Sequence, residues 1–401
     1  MAGGNSSQDE RIWQLKRMLI ANDRAEREGA ESGAVLESQI ADGEPIGRDN
    51  GILDRADSRI AAGLSEEGPQ AACVREARDN LLGFAEKAVG KLARGDGALA
   101  PDEVGALEAI ILVDGTRPSF LLADGLPDLT DPTMGSWLAT VVAHRDKTAR
   151  IARAVGRIQP RNGSAARHIG TGSLVDADRG LVLTNYHVIR DARDNFGIAM
   201  TRTGNRLRID GMLEIDFAGE AGALTKNRYR IISVELPVGF GPGFGVIDAA
   251  VARIEALPAS GPLPVAVPVL SRFPAYADGA MTSFATIGFP GAPAIRDGVV
   301  DGVDWGMVTR TLFRNMFGVK RLAPGRFGSP LGSRPDDLHG TAFGHDATTF
   351  GGASGSLLAA WADTDAPCFG LHFYGRTREE NNALAFAAAA DALAGIGVPI
   401  V

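Results

Sequence analysis

Cysteine is nearly absent from this sequence of 401 residues, which contains only Cys73 and Cys368. Two cysteines so far apart exclude a secreted scaffold built on disulfides and a zinc site rich in cysteine. The six histidines are scattered, with no His-x-x-x-His pair on a predicted helix. We therefore expect neither a metal site nor a cofactor, and we expect Cys368, in a predicted strand, to be a small core residue.

Long apolar runs are absent as well. No stretch reaches the roughly 20 apolar residues that cross a bilayer, and the N-terminus lacks an apolar core of signal-peptide length. These absences predict a cytoplasmic protein with no membrane segment. The formal net charge of −8, from 41 basic and 49 acidic residues, argues against binding to nucleic acid or to an anionic membrane. Hydrophobic residues make up 45% and charged residues 22%, as in folded globular chains.

The first 150 residues differ from the rest in charge and pattern, since they hold 26 acidic and only 17 basic side chains. Residues 1–71 are predicted to be a charged helix, from Glu10 to about Ala30, and a polar linker over 31–70. Residues 72–152 are predicted to form a small helical module. Its helices are expected over 74–94, from Pro101 onward and from Pro132 to His144.

From Val155 the apolar residues come in runs of four to six bounded by glycine, proline, asparagine and aspartate. Short strands at this spacing predict a mainly β domain over 153–401, long enough for two six-stranded barrels. An alanine-rich stretch from Leu384 to Ile396 is predicted to be a closing helix. The predicted strands are Gly172–Val175, Leu181–Thr184, Arg230–Val234, Ala249–Ile254, Thr286–Phe289, Leu357–Ala360 and Phe369–Phe373.

Three polar residues stand at the edges of predicted strands. His187 ends the segment LVLTNYH, Asp248 directly precedes an apolar strand in VIDAAVARI, and Ser354 lies in the small-residue turn GGASGS. Each alone is typical of an ordinary turn or strand end. The order His, Asp, Ser is one of the chain orders in which a catalytic triad occurs. Asp210 and Asp216 are nearer to His187 in sequence, but neither directly precedes an all-apolar strand.

These residue types suit nucleophilic catalysis. A serine hydroxyl is a poor nucleophile near neutral pH unless a base such as imidazole takes its proton. A carboxylate holds the imidazole in the required tautomer. The glycines beside Ser354 allow the backbone N–H groups of Gly352 and Ser354 to converge on a developing oxyanion. The sequence thus predicts a serine hydrolase with His187, Asp248 and Ser354 as its catalytic residues.

The segments TGSLV, LVLTNYHV, VIDAAVARI, TIGFP and GGASGS resemble the bacterial, disulfide-free branch of the trypsin-like serine peptidases. The resemblance covers about residues 153–400. It implies a chymotrypsin-like double β-barrel with the active site between the barrels, and an endopeptidase acting on proteins or peptides. It carries over His187 as general base, Asp248 as its orienting partner and Ser354 as nucleophile. Ala353 replaces the acid that digestive members pair with a new N-terminus, so that activation route is not expected.

The specificity pocket is predicted from the same resemblance. The strand Phe369-Gly-Leu-His-Phe-Tyr-Gly375 and the threonines before the turn are similar to those of glutamyl endopeptidases. Thr348, Thr349, His372 and Phe373 are therefore expected to line the pocket. They favour an acidic or small polar residue before the cut, because a histidine and a hydroxyl can bind a carboxylate. A metal site formed by the segment from Arg334 and His339 through His345 and Asp346 is a weaker alternative.

Residues 102–157 weakly resemble the effector-associated helical modules fused to trypsin-like proteases in bacterial conflict systems. This resemblance implies a module that docks to a sensor or adaptor protein in defence or signalling. The alternative is an appendage that only stabilises the first barrel. For the whole chain, the alternative to a peptidase is a catalytically inactive, protease-like protein that binds peptides or serves as a scaffold.

Overall fold

The computed structural model describes residues 12, 15–16, 19–20, 51–63, 71–131, 133–161, 163–165, 167–273, 283–292, 298–361, 368–375 and 380–401. Their buried apolar side chains form two clusters. The smaller cluster joins residues up to Val113 with four residues of a later segment, from Val303 to Val308. The larger cluster begins at Phe120 and contains the sheets. The segment between the clusters, residues 114–119, is therefore the link between two hydrophobic cores.

Most of the smaller cluster comes from α1 (Ile52–Gly63), α2 (Ala71–Ala93) and α3 (Pro101–Val113). The predicted helices over 74–94 and from Pro101 are confirmed. The prediction of a linker over 31–70 is wrong where α1 lies, because Ile52, Ala56 and Ile60 form a narrow apolar stripe that tertiary packing buries. Of the predicted helix from Glu10 to Ala30, only residues 12, 15, 16, 19 and 20 are described, and they are helical.

The next segment joins the larger cluster. It consists of β1 (Phe120–Ala123), β2 (Leu126–Pro127), a 3₁₀ turn (Gly135–Trp137), α4 (Leu138–Ala143) and α5 (Arg145–Ala154). The predicted helix from Pro132 to His144 is thus shorter than expected, and α5 follows it. β1 and β2 are strands that the helical interpretation of 72–152 did not include.

The first sheet is antiparallel and closes on itself. Its strand order is β3-β4-β5-β9-β8-β7-β6, and β3 also pairs with β7, so six strands form a barrel. Between β5 and β6 the chain forms α6 (Tyr186–Asp194), a helix that the sequence pattern did not predict. The strands are β3 (Val155–Pro160), β4 (Gly170–Asp176), β5 (Leu181–Thr184), β6 (Met200–Thr203), β7 (Arg206–Asp216), β8 (Arg228–Glu235) and β9 (Ala250–Ala256).

The second sheet has eight strands in the order β14-β17-β16-β15-β10-β13-β1-β2. An isolated antiparallel bridge between Phe327 and His345 also links the ends of β13 and β14. Its strands after β1 and β2 are β10 (Ser283–Gly288), β13 (Arg321–Arg326), β14 (Ala342–His345), β15 (Leu357–Ala360), β16 (Cys368–Tyr374) and β17 (Asn381–Ala385). The short pair β11 (Val299–Val300) and β12 (Val303–Asp304) and helix α7 (Trp305–Phe313) lie between β10 and β13.

The end of the chain differs from its prediction. The stretch Leu384–Ile396 begins in β17, and only α8 (Ala390–Gly395) is helical. Leu384 pairs with both Ala342 and Leu371, so strand pairing on two sides overrides the helix preference of the alanines. The other predicted strands and the buried position of Cys368 are confirmed. None of the helices in the described ranges has the length and apolar character needed to cross a membrane.

Candidate active site

His187 lies in the first turn of α6, directly after β5. The preceding Asn185 is fully buried, and its side-chain amide donates to the backbone carbonyl of Asp248 at 2.7 Å. This bond ties the start of α6 to the residues that lead into β9. The histidine is therefore positioned by a helix and a strand connection, rather than by the end of a strand as the sequence suggested.

Asp248 contacts His187 through both carboxylate oxygens. Oδ2 lies 2.7 Å from Nδ1 of the imidazole, and Oδ1 accepts the backbone N–H of His187 at 3.0 Å. The backbone N–H of Gly243 also points to Oδ2, at 3.3 Å. Because a carboxylate is an acceptor, Nδ1 carries the proton and Nε2 is left as the basic nitrogen. Asp248 is 2% exposed, so this arrangement is held away from water.

The two alternative aspartates lie elsewhere. Asp210 accepts hydrogen bonds from Thr201 and Arg208 on the surface of the first barrel. Asp216 is buried and lies near Arg157 and Arg228. Neither contacts His187, so the structure brings only Asp248 of the three to the imidazole.

Ser354 follows β14 and precedes β15, and β4 of the first barrel holds its turn. The backbone N–H of Thr171 donates to the carbonyl of Ser354 at 2.9 Å, and the Thr171 hydroxyl donates to the carbonyl of Gly352 at 2.9 Å. A Cβ on Gly170 would lie 2.7 Å from the methyl groups of Val188 and 3.3 Å from the carbonyl oxygen of Ser354. The turn therefore sits beside the residue that follows His187.

The turn around Ser354 requires glycine at position 352. Gly352 has φ +92°, and a Cβ there would lie 2.4 Å from Nε2 of His168 and 2.8 Å from the carbonyl oxygen of Phe289. Among the described residues, the backbone N–H groups of Gly352 and Ser354 donate to no other group. The Ser354 hydroxyl likewise makes no hydrogen bond within those residues, and catalytic hydrogen bonds are often long in ligand-free enzymes.

His168 is a site residue that the sequence did not indicate. Its Nε2 lies 2.9 Å from the carbonyl of Phe289, and its Nδ1 lies 3.1 Å from the carbonyl of Ala165. Burial lowers its pKa, while hydrogen bonding to Phe289 opposes that shift. The His168 ring thus contacts the carbonyl of Phe289, and Gly352 packs against both groups. A lone histidine between the strands of a barrel carries no sequence signal for such a role.

The structure separates the residues of the predicted pocket: Thr349 and Phe373 lie beside the strand of His372 or on it, whereas Thr348 faces the N-terminal segment. Thr349 donates its hydroxyl to Oδ1 of Asn381 at 3.0 Å, next to the strand that carries His372. Phe373 packs edge-on against Phe244 at 5.2 Å. The hydroxyl of Thr348 instead donates to the backbone carbonyl of Arg117, at 2.6 Å, and so faces the N-terminal segment.

His372 forms a buried pair with His345. Nε2 of His345 lies 3.1 Å from Nδ1 of His372, and Nδ1 of His345 is buried with no hydrogen-bond partner among the described residues. A proton on that Nδ1 would be a buried unsatisfied donor, so we place the His345 proton on Nε2. His345 then donates to His372, whose own proton lies on Nε2. The pair thus orients an N–H donor on the ring of His372.

Both rings are neutral in the folded chain. Burial lowers the pKa of His345 to about 3. Burial also lowers the pKa of His372 well below its usual value, with further contributions from His345 and His187. In the described ranges no three histidine, cysteine, aspartate or glutamate side chains converge as metal ligands would.

The neutral pair predicts a loss of stability in acid. In the unfolded chain both rings take up protons below about pH 6.5, whereas the folded chain keeps them neutral. The unfolded state therefore binds more protons, and the free energy of unfolding should fall as the pH drops below 6.5. The expected slope is up to about 1.4 kcal/mol per pH unit for each ring. Urea denaturation at several pH values between 7 and 5 measures it.

His345→Gln should remove one ring's share of that slope. Glu380, whose pKa burial raises, is present in both chains and cancels from the difference. The exposed His339 supplies the matched control, His339→Gln. Equal slopes for wild type and His345→Gln would contradict the assignment of a neutral buried ring.

Comparisons with known proteins identify a relative of this chain. The chain is 50% identical, over 392 residues, to a Lysobacter enzymogenes protein named "Probable serine protease"; the match covers 97% of this chain and 99% of that one. No known protein-family profile matches the sequence. A solved structure, the inactive form of the Rv3671c protease, is similar over 64% of this chain and 96% of that chain, with 16% identity. Its TM-score to this chain is 0.35.

Proposed function

The chain belongs to the same serine protease family as the Lysobacter enzymogenes protein, and on that premise we propose that it is an endopeptidase with His187, Asp248 and Ser354 as its triad. The observation that carries the proposal is the contact between Asp248 and Nδ1 of His187 at 2.7 Å. It leaves Nε2 as a base beside the turn of Ser354. This arrangement needs no cofactor.

The proposed reaction proceeds in two acyl transfers. Nε2 of His187 takes the hydroxyl proton of Ser354 as its oxygen attacks the scissile carbonyl. The N–H groups of Gly352 and Ser354 stabilise the oxyanion that forms. His187 then gives the proton to the leaving amine, and an acyl group stays on Ser354. Water, activated by the same imidazole, releases the acyl group and restores the hydroxyl.

We propose that this site lies between two barrels of a chymotrypsin-like domain. His187 and Asp248 come from the first barrel, which six antiparallel strands close. Ser354 comes from the second sheet, where the bridge between Phe327 and His345 supports closure of a second barrel. Residues 1–71, 72–152 and 153–401 remain our proposed functional divisions of the chain.

The proposed substrate has an acidic or small polar residue before the cut. One group supports this preference directly, the N–H on Nε2 of His372, which the buried His345 orients. The hydroxyl of Thr349 would donate to a substrate carboxylate only by giving up its hydrogen bond to Asn381. A neutral N–H and a hydroxyl bind a carboxylate by hydrogen bonds. A map of proteome cut sites, made with wild type and with Ser354→Ala as background, tests this. Dominant cleavage after lysine or arginine would contradict it.

A catalytically inactive, peptide-binding scaffold is the competing function. A fluorophosphonate probe separates the two, because it reacts only with an activated serine. We expect the wild-type chain to be labelled and Ser354→Ala to remain unlabelled, as measured by intact mass. A wild-type chain that resists the probe, with and without any partner recovered as below, would favour the scaffold.

The N-terminal helices support a proposed recruitment role. They form a cluster with its own buried core, apart from the larger core of the sheets. We propose that this part docks to a sensor or adaptor protein in a bacterial defence or signalling system, inside the cytoplasm. Affinity capture with full-length Ser354→Ala as bait tests the proposal. The proposal is contradicted if the bait recovers only substrates of the active site and no protein that binds through residues 1–150.

A further inference from the structure

The link between the two cores is buried along its whole length. Residues 114–119, with the sequence DGTRPS, connect α3 to β1, and all six residues are buried. The carboxylate of Asp114 accepts both the N–H and the hydroxyl of Thr116, at 2.9 and 2.7 Å. Nε1 of Trp137 donates to the carbonyl of Thr116 at 3.0 Å. Polar groups within the protein therefore give this segment one defined path.

Arg117, in the middle of that segment, forms an ion pair with Asp346. Nη2 of Arg117 lies 3.1 Å from Oδ2 of Asp346, and the side chains of Arg117 and Asp346 are only 4% and 6% exposed. The other carboxylate oxygen of Asp346 accepts the backbone N–H of Arg326 at 2.6 Å. The pair thus joins the N-terminal link to two consecutive strands of the second sheet, at the end of β13 and just after β14.

A second contact extends this attachment toward the nucleophile. The carbonyl of Arg117 accepts the hydroxyl of Thr348 at 2.6 Å, so both the side chain and the backbone of Arg117 hold residues 346–348. Asn381 holds the same stretch from the other side, through the carbonyl of Ala347 at 2.8 Å and the hydroxyl of Thr349 at 3.0 Å. This stretch leads directly into the turn that contains Gly352 and Ser354.

We propose that Arg117 is a positioning residue that holds the turn of the nucleophile in its catalytic form. The position before the serine is Ala353, so the turn has no acid of its own there that a cation might hold. Arg117 instead acts on Asp346 and Thr348, on the approach to the turn. The segment that follows the N-terminal helices thereby contacts the approach to the nucleophile through Arg117. This inference deepens the proposed function and rests on it.

The physical reason is that a buried ion pair is directional. A carboxylate in a dry environment is stable only with its charge and hydrogen bonds satisfied. Without the guanidinium, the buried carboxylate of Asp346 loses its paired positive charge. It is then expected to move toward water or another partner, and residues 346–349 are expected to shift with it. A displacement of about 1 Å at a catalytic group can cost about 10²-fold in rate. The effect should therefore appear in the chemical step.

The test compares variants of the full-length chain. We expect Arg117→Ala to lower kcat and the rate of fluorophosphonate labelling by about 10²-fold, with KM within about threefold of wild type. Arg117→Lys keeps the charge but loses the planar fork, and it should retain about a tenth of the activity. Arg228→Ala, which breaks an ion pair between the partly exposed Arg228 and the buried Glu214 in the first barrel, is the control for lost stability.

A charge-free pair of substitutions keeps the test decisive if Arg117→Ala folds poorly. Arg117→Met with Asp346→Asn leaves no unpaired buried charge, and urea denaturation measures its stability. We expect kcat at least about tenfold below wild type in that double variant, even with near-normal stability. The proposal is overturned if Arg117 variants that are as stable as Arg228→Ala also match its kcat. A wild-type chain that the probe does not label would overturn the proposed function itself.

Discussion

Ser354→Ala is expected to lower kcat/KM by about 10⁶-fold, and adding His187→Ala to it should lower the rate no further. In the proposed triad, serine and imidazole act as one unit, because the base has no proton to take once the hydroxyl is gone. The residual rate then comes from substrate binding and the N–H groups of Gly352 and Ser354. Initial rates on a protein substrate, measured for both single variants and the double variant, test this expectation.

Additive losses would contradict that prediction. If the loss of rate in the double variant, relative to wild type, equalled the product of the two single losses, the two side chains would act independently. Circular dichroism and urea denaturation of each variant serve as the folding control. Ser354 is only partly buried and His187 lies near the surface of α6, so neither substitution should unfold the chain.

Asp248→Asn is expected to lower kcat by about 10⁴-fold while the fold stays intact. An amide can still accept the backbone N–H of His187 through its oxygen, as Oδ1 does now at 3.0 Å. Its NH₂ group, however, would face Nδ1 in place of Oδ2 and donate to it. Nε2 would then carry the proton and could not act as the base. The kcat of the variant, with its stability, measures the effect.

The pH dependence of Asp248→Asn gives a second measurement. When the imidazole is in the wrong tautomer, solvent hydroxide can take the proton of the Ser354 hydroxyl in its place, so the rate of the variant should rise with pH. Asp210→Asn is the matched control, since Asp210 is the nearer aspartate in sequence and only contacts Thr201 and Arg208. An equal loss in the control variant would refute the assignment of Asp248.

The sequence pattern was most informative where local spacing and burial agree. Helix α2 has a regular apolar stripe, α3 begins with proline and acidic residues and is buried on nearly all sides, and the strands around His187, Asp248 and Ser354 are short apolar runs with clear ends. Asp248 was preferred over Asp216 because it directly precedes such a run, and it is the one that contacts His187. A residue directly before a buried strand is held by that strand's pairing, so the strand largely determines which residues surround its side chain.

The sequence pattern failed where distant contacts outweigh local preference. The alanines and leucine of β17 pair with β14 and β16, although their composition favours a helix. Helix α1 was missed because only three narrow apolar positions mark it in a polar stretch. Helix α7 packs its buried face on the N-terminal cluster, and that partner lies about 200 residues away in sequence.

Three features of this protein were determined by the sequence itself: the order of the three catalytic candidates, the glycines of the nucleophile turn and the mainly β character of the last 250 or so residues. Each of these features depends on residue type and short-range spacing. The attachment of Arg117 to Asp346, the support of Gly352 by His168 and the buried pair of His345 and His372 were decided only by the tertiary structure. Each of these contacts joins residues from different strands or modules. Their geometry depends on how the sheets close and pack, and residue type does not encode that closure locally.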